Sequence, residues 1–156
     1  MDTTMILDSG NTAWIIVATL LVLLMTIPGI ALFYGGLVRQ KNVLSIIMQS
    51  LLIVGAVSIL WVAFGYSFVF GSSLMETDSI WRHFIGGFDK LFLQGITTSS
   101  LTTGRIPELM FVLFQCRFAV ITPALILGAF AERVKFAGFL MFTVLWSILV
   151  YIPMAH

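Results

Sequence analysis

Phe114–Phe136 reads FQCRFAVITPALILGAFAERVKF, and this stretch decides the fold class. It contains no charge from Ala119 to Ala131, and it ends in the compact charged group Glu132–Lys135. One arginine, Arg117, lies inside the apolar run, where a charge is costly if the segment crosses a bilayer. We interpret the stretch as the inner part of a membrane-spanning helix that runs out into a short cytoplasmic turn.

The composition of the whole chain indicates a polytopic membrane protein. Of its 156 residues 60% are hydrophobic and only 10% are charged, whereas soluble domains carry about 25% charged residues. The net charge of +1 gives no basic field for nucleic acid. The single cysteine, Cys116, allows no disulfide framework and no CxxC metal pattern. We expect no metal and no cofactor, and the absence of a nucleophile, base and orienter at usable spacing argues against an enzyme.

Four apolar stretches are long enough to cross a bilayer, which takes about 20 residues of helix. The first contains Pro28 and the third contains Pro123, and each proline predicts a helix kink because it removes a backbone hydrogen bond. The remaining long connection, residues 72–106, is predicted to be an external loop. The predicted spans cover about residues 13–38, 43–70, 107–131 and 136–155.

The long loop carries aromatic and aliphatic residues at the spacing of one helix face. This pattern predicts a short helix that lies on the membrane surface or caps the bundle. Gly86 and Gly87 fall inside the pattern and weigh against a helix. The residues that form the pattern are Trp81, Phe84, Ile85, Phe88 and Phe92.

The distribution of lysine and arginine predicts the orientation in the membrane. The two short turns between spans carry four basic residues and a single acid, Glu132, whereas the chain before the first span carries only acids. Under the positive-inside rule both turns lie in the cytoplasm and the N-terminus lies outside the cell membrane. The basic residues are Arg39, Lys41, Arg133 and Lys135.

Four blocks of sequence, taken together and in order, resemble the first four helices of the ammonium transporter family. The resemblance covers nearly the whole chain, although no single block is specific by itself. The blocks are MTIPGIALFYGGLVRQKNVLS (Met25–Ser45), IPELMFVLFQ (Ile106–Gln115), ITPALILGAFAERVKF (Ile121–Phe136) and YIPMAH (Tyr151–His156).

The resemblance implies an all-α membrane protein whose four transmembrane helices are part of an eleven-helix inverted-repeat fold. Residues 1–156 are then an N-terminal fragment of the transporter domain. Members of the family assemble as homotrimers with one pore per subunit, and a cytoplasmic nitrogen-signalling regulator is implied as well. The family's pore histidines and its outer Asp, Trp and Ser would lie beyond His156, which itself matches a structural position at the outer end of the fourth helix.

Two phenylalanines match the family's pore motif. Phe118 corresponds to the aromatic residue that closes the outer recruitment site and forms half of a gate, and Phe114 corresponds to an aromatic residue of the outer vestibule. Their i, i+4 spacing places both on one helix face, and an aromatic face attracts a cation such as ammonium by about 0.5–2 kcal/mol. Ordinary packing is the alternative that the spacing alone allows.

Three further residues are candidates. Phe33 and Tyr34 match aromatics near the inner end of the family's pore. Arg117 departs from the family pattern, where a small, hydroxyl or apolar residue is expected, and it lies about 15 Å along the third span. Its guanidinium either faces a neighbouring helix or subunit and bonds carbonyls or a carboxylate, or it faces the pore and weakens conduction, as in a sensor.

The leading prediction is therefore a channel or transporter for ammonium or ammonia, present as an N-terminal fragment in the lipid bilayer. The membrane domain of an ammonium sensor that is coupled to a signalling domain is one alternative. An inactive truncated product is the other.

Overall fold

A computed structural model describes residues 7–72 and 80–156, with the backbone alone at residues 81 and 82. The described residues form four helices that are long and apolar enough to cross a membrane. This result confirms the predicted all-α membrane class with four long apolar helices. The helices are α1 (Ser9–Leu37), α2 (Gln40–Phe70), α3 (Glu108–Phe130) and α4 (Phe136–Ala155).

The first helix begins at Ser9, ahead of the predicted span start at residue 13, because Asp8 caps it. The Asp8 carboxylate accepts a hydrogen bond from the Asn11 amide at 3.0 Å, which satisfies one of the donors that a helix start leaves unpaired. The Asp8 amide in turn donates to the Arg105 carbonyl at 3.0 Å. The start of α1 is thereby attached to the loop that precedes α3.

Helices α1, α2 and α4 each contain a π-helical turn. In α1 this turn is Met25–Ile30 and includes Pro28, so the predicted distortion at this proline coincides with a change of helical hydrogen bonding. The other π-helical turns are Trp61–Gly65 and Ser147–Tyr151. Helix α3, in contrast, is α-helical throughout and includes Pro123 as a buried residue.

The core lies mainly between α2 and α3. On α2 the buried side chains recur every three or four residues, at Ile46, Ser50, Ile53 and Val57, which is the spacing of one helix face. The facing residues of α3 include small side chains that allow close helix approach. The buried residues of α3 at this contact are Val112, Cys116, Ala119, Val120, Ala124 and Leu127.

The polar connections divide between the two ends of the bundle. At the hairpin side, defined as the end with turns 39–42 and 131–135, Glu132 accepts hydrogen bonds from the Arg39 amide at 3.1 Å and the Asn42 side-chain amide at 2.7 Å. At the loop side, defined as the opposite end, His156 Nδ1 is hydrogen-bonded to the Val69 carbonyl at 2.8 Å. The two basic turns therefore lie together at one end of the bundle.

The predicted surface helix in the long loop is wrong. The described part of the loop contains 3-10 turns at Ile80–His83 and Leu91–Leu93 in place of an α-helix. Between them Gly86 donates to the Phe68 carbonyl at 2.6 Å, and its α-carbon lies so close to the backbone of Gly71 that a side chain would collide with it. Gly86 and Gly71 allow the loop to lie directly against the end of α2, and this contact excludes an α-helix in this part of the loop.

Replacement of Gly128 by alanine is predicted to destabilise the contact between α1 and α3. An added Cβ would collide with the ring of Tyr34, and that ring is fixed because its hydroxyl donates to the Leu125 carbonyl at 2.7 Å. We expect Gly128→Ala to lower the free energy of unfolding by about 1–3 kcal/mol.

The matched control is Gly55→Ala, because a Cβ at Gly55 meets nothing within 4 Å and alanine has the higher helix propensity by up to about 1 kcal/mol. Unfolding titrations in mixed micelles compare the two variants with the unchanged protein. Equal stability of the two variants would contradict the assigned packing.

Candidate functional site

The two phenylalanines predicted to share a face of α3 do so. The rings of Phe114 and Phe118 are 5.0 Å apart with an interplanar angle of 75°, an edge-to-face contact. Phe114 is half-buried and Phe118 is 36% exposed. Cys116, between them in sequence, points the other way and donates to the Ser58 hydroxyl of α2 at 3.6 Å. The aromatic pair thus occupies a side of α3 that the four-helix bundle leaves partly uncovered.

Arg117 lies beside this pair and has an unsatisfied donor. Its Nε is buried, and it has no hydrogen-bond partner in residues 7–72 and 80–156. Neither of the partners proposed for its guanidinium, a carbonyl or a carboxylate, is therefore provided to Nε by this part of the chain. A buried donor without a partner costs about 1–3 kcal/mol, so a partner from another segment or subunit is expected.

Phe33 and Tyr34, predicted to line the inner end of a pore, have different surroundings. Phe33 is 62% exposed, whereas the Tyr34 ring lies over Gly128 of α3 and its hydroxyl is hydrogen-bonded to Leu125. The two rings are in edge contact at 5.2 Å. Tyr34 also borders a cavity of about 480 Å³ that extends to Glu132 and Arg133. Of the two aromatics, Tyr34 has a defined place at the hairpin side.

Glu132 makes polar contacts with Arg39 and Asn42 that could not be predicted from the sequence. Its backbone has a φ of 62°, which is uncommon for a residue other than glycine, and this turn directs the carboxylate towards Arg39 and Asn42. The Asn42 side-chain amide, and then the Arg39 amide, hold the pKa of Glu132 below its usual range, with the charges of Arg39 and Lys41 adding to the effect. The ionised carboxylate therefore joins the two basic turns.

A second unpredicted contact lies at the loop side, where Lys90, Tyr66 and Glu108 meet. The Lys90 ammonium nitrogen is 2.6 Å from Glu108 Oε1, and the Tyr66 hydroxyl donates to the same oxygen at 3.0 Å. Glu108 is an acidic residue in the first turn of α3. Its partners are 18 and 42 residues away, and no periodic pattern indicates such distant pairing.

The described residues include no group of three or more His, Cys, Asp or Glu side chains with which to hold a metal ion. His156, at the end of α4, contacts the backbone of α2 through its ring nitrogen Nδ1. The distinctive features of the bundle are therefore the open aromatic side of α3 and the two carboxylate contacts at its ends.

Comparison with known families identifies the family to which the chain belongs. A family model described as "Ammonium Transporter Family" matches residues 13–156. The chain belongs to the ammonium transporter family. The predicted family is thus confirmed over almost the whole sequence.

Curated relatives of this family are similar along the same region. A putative ammonium transporter from Methanothermobacter thermautotrophicus is 45% identical over 152 residues, which are 97% of this chain and 36% of that protein. An ammonium transporter from Bacillus subtilis is 46% identical over 151 residues, 96% of this chain and 35% of that protein. The chain therefore spans about a third of the length of these transporters.

Two solved structures share the fold of this chain. Mep2 from Candida albicans matches with a TM-score of 0.77 and 30% identity, over 99% of this chain and 32% of that one. Mep2 from Saccharomyces cerevisiae matches with a TM-score of 0.75 and 32% identity, over 96% of this chain and 31% of that one. The arrangement of the four helices is thus similar to that of one segment of these larger proteins.

Proposed function

We propose that this chain forms the first four helices of a membrane subunit that conducts ammonium or ammonia. The observation that carries the proposal is the family match over residues 13–156 together with the paired rings of Phe114 and Phe118 on the partly uncovered side of α3. The relatives named above are described as ammonium transporters.

The role of the aromatic pair follows from the chemistry of the ion. Ammonium is a small cation that is expensive to dehydrate, and the negative face of an aromatic ring compensates part of that cost. We assign Phe118 to the recruitment and gating of the ion and Phe114 to the approach to it. Phe33 and Tyr34 are assigned to the inner end of the path. From the family resemblance alone, deprotonation of ammonium and passage past paired histidines beyond His156 follow, since an ion is disfavoured in the apolar interior.

A chimera tests this assignment with a complete subunit. In it, this chain replaces the matching segment of the Bacillus subtilis ammonium transporter, with which it is 46% identical. We expect the chimera to take up radiolabelled methylammonium in cells that lack their own ammonium transporters. Phe118→Ala is expected to lower the initial uptake rate roughly 2- to 30-fold, the equivalent of a lost aromatic contact.

The matched control is Phe136→Ala, which removes a similarly exposed ring, 43% against 36%, at the hairpin side. Uptake is normalised to the amount of protein in the membrane. An unchanged rate in Phe118→Ala would remove the assigned role of that ring. A chimera that inserts normally and binds ammonium without taking it up would favour a sensor instead.

Arg117 is proposed to contact a helix or subunit beyond the four described helices, since its buried Nε has no partner among them. On this assignment Arg117→Thr in the chimera is expected to leave methylammonium uptake per inserted molecule unchanged, because the guanidinium is away from the conduction path. An increase in uptake would place the positive charge in the path of the cation.

We propose further that the chain lies in the cell membrane with its N-terminus outside and its hairpin side in the cytoplasm. Arg39, Lys41, Arg133 and Lys135 are at the hairpin side, and the positive-inside rule supports this orientation. From the family resemblance alone we add that complete subunits form a homotrimer and that a nitrogen-signalling regulator contacts the cytoplasmic side.

Cysteine labelling tests this orientation. In a Cys116→Ala background, Gln40→Cys is expected to react with a membrane-impermeant maleimide only after the cells are permeabilised, because Gln40 is exposed at the hairpin side. Thr103→Cys, exposed in the loop at the other end, should react in intact cells. The reverse pattern would invert the proposed topology.

A further inference from the structure

The ammonium group of Lys90 is held at the loop side by two kinds of contact. Its nitrogen is 2.6 Å from Glu108 Oε1 and 5.6 Å from the centre of the Tyr66 ring. The carboxylate supplies a charged hydrogen-bond acceptor, and the aromatic face supplies a further attraction for a cation. The group that receives these contacts is a primary ammonium, whose three N–H donors suit a carboxylate beside a ring.

The acceptor and the ring are more firmly fixed than the lysine that reaches them. Tyr66 is 2% exposed, and its hydroxyl donates to the same Glu108 oxygen. The ring of Phe70 contacts that of Tyr66 at 5.2 Å and that of Phe111 at 5.1 Å. The side chain of Glu108 is 13% exposed and that of Lys90 29%. A flexible four-carbon stem thus extends from the loop to a more deeply buried wall formed by α2 and α3.

A cavity of about 500 Å³ adjoins this wall. Tyr66, Phe70, Glu108 and Phe111 line one part of it, and the loop segment 101–104 lines another. The volume is sufficient for a small organic cation. A free ligand therefore has room to approach the carboxylate and the ring if the Lys90 side chain is removed.

We propose that Glu108 and Tyr66 form a binding site for primary ammonium groups, and that the resident ligand of this site is the ammonium of Lys90 itself. The site is distinct from the Phe114–Phe118 pair, since Glu108 precedes Phe114 on α3 by about 9 Å of helix rise. It does not depend on the proposed transport function. While Lys90 occupies the site, external ammonium is excluded from it and the long loop is held against α2 and α3.

Chemical rescue tests the proposal, with variants that remove different lengths of the lysine side chain. Lys90→Ala deletes the atoms of n-propylammonium, whereas Lys90→Met keeps a stem of similar length and deletes the ammonium group. We expect each variant to lower the midpoint of thermal unfolding of the purified protein in detergent by about 2–4 °C. Propylammonium should restore the midpoint of Lys90→Ala, and the ammonium ion should restore that of Lys90→Met.

Three controls separate a specific site from a general salt effect. Tetramethylammonium has no N–H donor and should rescue neither variant. The double variant Lys90→Ala/Glu108→Gln should not respond to propylammonium, because the anionic acceptor is lost. Lys135→Ala, an exposed lysine at the other end of the bundle, should show no amine-dependent shift. Absence of rescue in both Lys90 variants, or equal rescue by tetramethylammonium, would overturn the proposal. If Lys90→Ala does not fold, the ammonium response of Lys90→Met decides.

Discussion

Inside a bilayer there is no water to pair with the backbone, so every N–H and C=O group must find its partner within the protein. This constraint accounts for the four long helices and for the way in which hydroxyl side chains behave along them. Thr19, Thr26 and Ser50 each donate to the carbonyl four residues earlier on their own helix. Among buried side-chain atoms of the described residues, Arg117 Nε and Thr143 Oγ1 are left without partners.

The two ends of the bundle follow a common principle, in which one carboxylate joins segments that are distant in sequence. Glu132 connects the two basic turns at the hairpin side, and Glu108 connects the loop to α2 and α3 at the other side. Both acids lie at helix ends, where polar groups remain accessible to water and ionisation costs less than in the hydrocarbon. The apolar middle packs the four helices together, and a carboxylate at each end adds hydrogen bonds between segments that are distant in sequence.

The sequence was informative wherever a feature repeats or adds up along the chain. Hydropathy predicted the number and nature of the long helices, the i, i+4 spacing predicted that Phe114 and Phe118 share a face, and the quoted blocks predicted the family. The predicted helix in the long loop was wrong because the spacing of apolar residues carries no information about the tertiary contact of Gly86 with Gly71. Likewise, Lys90, Tyr66 and Glu108 belong to three segments, and their meeting depends on how those segments fold.

The surroundings of the Arg117 side chain could not be predicted from the sequence. Its position inside an apolar stretch is evident from the sequence, but the direction of its side chain depends on neighbouring helices. The described residues provide no acceptor for that nitrogen. The roles assigned to the aromatic residues of α3 stay predictions for the same reason. These residues lie on a surface that the four helices leave partly uncovered, and their function depends on which segments cover it.

The long-range hydrogen bonds of α1 have a consequence for biosynthesis. In α1 and beside its two ends, Asp8 is bonded to Arg105, Tyr34 to Leu125 and the Arg39 amide to Glu132, so each of these partners emerges from the ribosome more than ninety residues later. The hairpin of α1 and α2 must therefore enter the membrane before these partners are synthesised, with the groups solvated or unpaired until α3 follows. Insertion of α3 supplies these partners at both ends of the bundle, and a nascent chain arrested before Leu125 would lack the hydrogen bonds of both Tyr34 and Arg39 at the hairpin side.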